Sequence, residues 1–99
     1  MLDIKKTSEG TQTTVSLTGR LDTVTSPDLE KELKEFIEGT AELVLDFNEL
    51  DYISSAGLRV LLSAQKIMNK QGSMKLINVS ESIMEIFEVT GFSDILTIA

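Results

Sequence analysis

The chain has no cysteine, no histidine and no tryptophan, and only one proline and one tyrosine. Without cysteine there is no disulfide framework, no thiolate metal site and no sulfur nucleophile. Without histidine the usual general base is missing, every Ser-His-Asp arrangement is excluded, and most zinc sites lose a ligand type. No apolar run approaches the roughly 20 residues needed to cross a bilayer. The opening residues lack the basic-then-apolar order of a secretory signal. The expectation is a soluble protein of the cytoplasm.

Positive charge is also scarce, with nine Lys and Arg against sixteen Asp and Glu and a net charge of −7. Residues 1–51 carry twelve acidic and five basic side chains, and residues 52–99 carry four of each, so the imbalance lies in the first half. Nucleic acid and anionic membranes both call for a basic footprint, and neither is expected as a partner. The acids are scattered along helix faces without calcium-loop spacing, and the six glycines form no phosphate-cradling cluster. No metal and no cofactor are expected.

What is present suffices for one domain spanning residues 1–99. At 41% hydrophobic, a chain of 99 residues can build one core without staples. Leu2-Asp3-Ile4 and Thr13-Val15-Leu17 alternate as half-buried strands do, with Glu9-Gly10 as the turn between them. Ser26-Pro27 reads as a helix start with serine as cap, and Leu29, Leu33, Phe36 and Ile37 make its buried stripe before Gly39. Leu43-Val44-Leu45 predicts a central strand covered on both faces, followed by a polar connection over 48–52. A second helix runs from about Ser55 to Lys70 and stops at Gly72, with Val60, Leu61, Ala64, Ile67 and Met68 inward. Met74, Leu76 and Ile77 form another strand. Ser80 caps a third helix with Ile83, Ile86 and Phe87 inward, Gly91 ends it, and Ile95-Leu96-Ile98 is a candidate last strand. The order β-β-α-β-α-β-α-(β) predicts an α/β fold, with a mixed sheet of four to five strands and three principal helices.

The segment richest in chemistry is Leu50-Asp51-Tyr52-Ile53-Ser54-Ser55-Ala56-Gly57-Leu58. Two serines stand where a loop becomes a helix, and small residues fill the first turn. Ser55 is either an ordinary N-cap or a modified serine. A phosphate there would meet free amides and the positive end of the helix. Ser55 shares its helical sector with Arg59, Leu62 and Lys66, away from the predicted core stripe. Nucleophilic catalysis is the poorest fit, because no base stands near and Lys66 lies far along the helix. A second segment, Gly19-Arg20-Leu21-Asp22, leaves a strand just ahead of the first helix.

At these segments, and at Leu43-Val44-Leu45-Asp46, the sequence resembles the STAS domain family, particularly the small stand-alone anti-sigma-factor antagonists of bacteria. The resemblance covers nearly the whole chain, and Tyr52-Ile53-Ser54-Ser55-Ala56-Gly57-Leu58 is its most specific part. It implies the STAS fold and a partner-switching role without catalysis. In the family the unphosphorylated antagonist binds a serine-kinase anti-sigma factor and frees the sigma factor. Phosphorylation by that kinase ends the association, and a PP2C-type serine phosphatase resets it. The family's phosphoserine maps onto Ser55, and Asp22 matches an aspartate on a neighbouring loop. Ser54, Ala56, Gly57, Leu58, Arg59 and Leu62 complete the expected partner surface, with Ala56 and Gly57 permitting close approach and Leu58 and Leu62 supplying apolar contact. Many members have aspartate where this chain has Ser54. The competing function is an adaptor or scaffold subunit of another regulatory or transport assembly, never phosphorylated.

Overall fold

A computed structural model describes residues 1–99. The elements are β1 (Leu2–Glu9), β2 (Gln12–Leu21), α1 (Ser26–Phe36), β3 (Glu42–Ile53), α2 (Ser55–Gln71), β4 (Ser73–Ile77), α3 (Glu81–Thr90) and a 3₁₀ turn at Phe92–Asp94. The strands lie side by side in the order β1-β2-β3-β4. The first pair is an antiparallel hairpin; β2, β3 and β4 are parallel. The mixed sheet with three helices is therefore the observed architecture. Its candidate fifth strand shrinks to one bridge between Leu76 and Ile98, flanked by Leu76 N donating to Thr97 O and Ala99 N donating to Leu76 O, both at 2.9 Å.

Two successive crossovers of one hand between adjacent parallel strands carry both helices to the same side of the sheet. On that side Val15, Leu17, Leu43, Leu45, Phe47, Met74 and Leu76 meet Leu29 and Leu33 of α1, Leu61, Ala64 and Met68 of α2, and Ile83 and Phe87 of α3 in one cluster. Phe47 and Phe87 face each other with ring centroids 6.4 Å apart. The expectation of helices on both faces of Leu43-Val44-Leu45 is corrected. Val44 lies outside the cluster, paired in register with Thr14 and Lys75, and is nonetheless buried.

The polar stretch 48–52 is strand rather than connection, since β3 continues to Ile53. Phe47, Leu50 and Ile53 are buried at intervals of three, because the β2–β3 register shifts between Ser16 and Thr18 and again between Gly19 and Arg20. Each bulge inserts a residue and resets the alternation, which hides the strand from a period-two pattern. The cap of α1 is Thr25, not Ser26. Ser26 sits inside the first turn, with its hydroxyl donating to Asp22 O at 2.5 Å. Ile67 is 40% exposed instead of lying in the core. Ser80 caps α3 by accepting from Ile83 N, and Gly91 follows the helix at φ +81°, a left-handed conformation that favours glycine.

Candidate functional site

Because β2 and β3 are parallel, Leu21 and Ile53 end at the same edge of the sheet, and the chain leaves both toward helix starts. One bond joins the two exits: Ser54 N donates to Leu21 O at 2.9 Å. Ser54 is extended (φ −102°, ψ 175°) and caps α2, its hydroxyl accepting from Gly57 N at 3.4 Å. Ser55 is the first residue of the helix and is exposed, and its hydroxyl makes no hydrogen bond within the chain. The two roles left open for this serine are thus divided. The cap is Ser54, and Ser55 is free.

Gly57 is buried for a packing reason. A Cβ there would stand 2.8 Å from Leu21 Cγ and 2.9 Å from Ile53 Cγ1, so its absence lets α2 lie against both strand ends. Arg59 and Lys66 are exposed on the Ser55 side, with Ala56 and Leu62 half-buried. Leu58 is corrected. It is 6% exposed, belongs to the core cluster and offers no apolar surface beside the serine. Of the expected partner surface, the structure gathers Ser54, Ser55, Ala56, Arg59 and Leu62 on the accessible side and turns Gly57 and Leu58 inward.

Asp22 opens the β2–α1 loop and is heavily committed. Its Oδ1 accepts from Val24 N and Thr25 N at 3.0 Å each and from the Thr25 hydroxyl at 3.2 Å. The Thr25 hydroxyl also donates to Arg20 O at 2.7 Å and accepts from Asp22 N at 2.9 Å. The Thr25 amide, helped by its hydroxyl and by the Val24 amide against an opposing cost of burial, holds the Asp22 carboxyl below its ordinary value. Arg20 Nε lies 3.8 Å from Asp22 Oδ2, and the guanidinium sits 4.3 Å over the Tyr52 ring. Thr25, Arg20, Tyr52 and Val24 are members of this edge that the sequence did not single out. Only the position of Arg20 and Tyr52 inside the quoted motifs hinted at them. Thr23 of the loop, Ser26, Pro27 and Glu30 of α1, and Ala56, Arg59 and Val60 of α2 line one cleft of about 200 Å³. No three His, Cys, Asp or Glu side chains come together as a metal site, and no helix is long and apolar enough to cross a membrane.

The STAS domain family model matches residues 4–99. The chain belongs to the STAS domain family. Among curated relatives it is 33% identical over 99 residues to the anti-sigma-B factor antagonist of Bacillus subtilis, covering 99% of this chain and 89% of that one. It is 40% identical over 85 residues to the putative anti-sigma factor antagonist BtrV of Bordetella bronchiseptica, covering 84% of this chain and 73% of BtrV. Among solved structures, SpoIIAA, a Bacillus cell fate determinant, shares the fold in two forms. The unphosphorylated form matches with a TM-score of 0.76 at 16% identity, covering 100% of this chain and 87% of that one. The phosphorylated form matches with a TM-score of 0.75 at 17% identity, covering 100% and 91%.

Proposed function

We propose that this chain is an anti-sigma-factor antagonist working by partner switching in the cytoplasm, as one STAS domain over residues 1–99 and without catalytic activity. The unphosphorylated protein binds a serine-kinase anti-sigma factor and releases that factor's target. Phosphate on Ser55 ends the association, and a PP2C-type phosphatase restores it. The partner surface comprises Ser54, Ser55, Ala56, Arg59 and Leu62, with the Asp22 loop beside them.

The observation that carries this is the division of labour between the two serines. Ser54 holds the helix start, so Ser55 presents an exposed, unbonded hydroxyl on the first residue of a 17-residue helix. A phosphate added there breaks no internal bond and meets first-turn amides that have no intrahelical partner. It brings nearly two negative charges to a contact surface. Names of relatives and the family motif support the choice of partner.

The test is incubation of the purified chain with its anti-sigma-factor kinase and ATP, followed by fragment-ion localisation and titration of binding. Stoichiometric phosphate on Ser55 and loss of affinity are expected. Phosphate mainly on Ser54, or persisting undiminished in Ser55→Ala, refutes the assignment. No phosphate at all favours the adaptor role.

A further inference from the structure

Val24, at the tip of the β2–α1 loop, is 81% exposed. A lone exposed valine is ordinary on a protein surface. This one is unusual in how firmly its backbone is held. Its own N–H and that of Thr25 both donate to Asp22 Oδ1. Thr25, 6% exposed, is tied to Arg20 O and Asp22 N through its hydroxyl. Ser26, 2% exposed, returns both its amide and its hydroxyl to Asp22 O. A loop of four residues, 22–25, is thereby fixed at both ends while its one apolar side chain points to solvent. Preset geometry removes most of the ordering cost that a flexible loop meets on binding. The position matters equally, since the preceding Thr23 lines the same cleft as Ala56 and Arg59, which flank Ser55 on α2.

We propose that Val24 is an apolar anchor that seats in an apolar pocket of the same anti-sigma factor that engages Ser55, and that Asp22 is the positioning residue that holds it there. The proposal rests on the partner-switching function above and changes the role of Asp22. Its Oδ1 is occupied by two amides and a hydroxyl, so through that oxygen it acts on a partner by way of Val24.

The experiment titrates the unphosphorylated chain into the anti-sigma-factor kinase of the same organism by calorimetry, with melting of each variant measured alongside. Val24→Ser weakens binding about tenfold or more, the loss expected for an unburied valine side chain, with an unchanged melting temperature. Val24→Ile stays within about threefold, since it keeps shape and polarity. Asp22→Ala loses as much as Val24→Ser, whereas Asp22→Asn, which keeps an acceptor for both amides, loses little. The double variant Asp22→Ala/Val24→Ser binds no more weakly than the worse single one, because the two act as one unit. Wild-type affinity in Val24→Ser, while phosphorylation of the wild type still abolishes binding, overturns the anchor alone. Additive losses overturn the positioning role of Asp22. Equal affinity of phosphorylated and unmodified wild type overturns the switch and this proposal with it.

Discussion

Gly57→Ala sets two terms against each other at the start of α2. Replacing a helical glycine by alanine favours the helix by about 1 kcal/mol. The new methyl, however, would meet Leu21 Cγ at 2.8 Å, Ile53 Cγ1 at 2.9 Å and Leu21 Cδ2 at 3.0 Å. Leu21 and Ile53 are 0% and 2% exposed, and the two nearest atoms struck, Leu21 Cγ and Ile53 Cγ1, lie in mid-chain, so neither side chain can swing away. Overpacking a filled core costs about 1–3 kcal/mol, and three such contacts put this case at the upper end, about 3. The net is a destabilisation of about 2 kcal/mol, or about 10 °C in Tm for a domain of this size. Thermal unfolding followed by circular dichroism measures it. The double variant Gly57→Ala/Leu21→Ala should be less unstable than the sum of its singles by about 2 kcal/mol, because the methyl then fills space that Leu21 vacated. A Tm for Gly57→Ala at or above wild type, or strict additivity in the double variant, refutes the close-packing account.

Three further outcomes follow from the same geometry. Ser55→Ala keeps kinase affinity and abolishes switching, while Ser55→Glu weakens binding by about 2–5 kcal/mol, the range for an unpaired charge placed in a contact; titration calorimetry reads both. Asp22 has its carboxyl held below its ordinary value of 3.8, so its contribution to the loop is complete above that value and is lost only as pH falls through the lowered one. The Val24 and Thr25 amide resonances should therefore stay constant from neutral pH down to the ordinary carboxylate range and move only below it, and a midpoint above 3.8 contradicts the bonding described. Gln65 is 4% exposed with Oε1 unpartnered, although its Nε2 donates to Asn69 at 2.8 Å. Gln65→Met removes a buried acceptor at similar volume and should raise stability by about 1 kcal/mol in chemical denaturation, whereas a loss of that size would show the carbonyl to be satisfied.

The three helices were legible because each carries its own punctuation. Ser80 and Gly91 bracket α3, and Gly72 follows α2 where the pattern ends. The second half of β3 was not legible, because the first bulge displaces Leu50 from the alternating positions and the second restores the phase only at Ile53, so no period-two run reveals a strand. The cap of α1 was misplaced by one residue because the Thr25 hydroxyl bonds Asp22 and Arg20 instead of the amides of its own helix, a partnership that no local motif encodes. Leu58 and Ile67 exchanged environments for a common reason. The buried arc of α2 takes in Gly57, Leu58, Val60, Leu61, Ala64, Gln65 and Met68, wider than one stripe and rotated toward the strand ends. The motif marked where the site lies, but one sequence shows two adjacent serines as equals. Their difference is that one hydroxyl accepts Gly57 N and the other is unbonded, which only the backbone geometry reveals.

That difference bears on how a phosphate would act. If Ser55 were the cap, its modification would loosen α2, and the switch would work by local unfolding. With Ser54 as the cap, the helix start, the Ser54–Leu21 bond and the Gly57 contact do not use the Ser55 hydroxyl, so a phosphate on that oxygen breaks none of them. The charge must then be dealt with at the surface. Phosphorylation takes the chain from a net −7 to about −9. The nearby cations give little relief: Arg20 is shared between Asp22 and the Tyr52 ring, leaving exposed Arg59 one turn along. A phosphate so placed stays hydrated in the free protein and loses that hydration only when a partner covers it. Its cost is thus concentrated in the complex, where burial of an unpaired charge amounts to several kcal/mol. A switch built on the exposed, unbonded Ser55 hydroxyl would need no moving part. On the proposed switch, the two states would differ in what can dock on them.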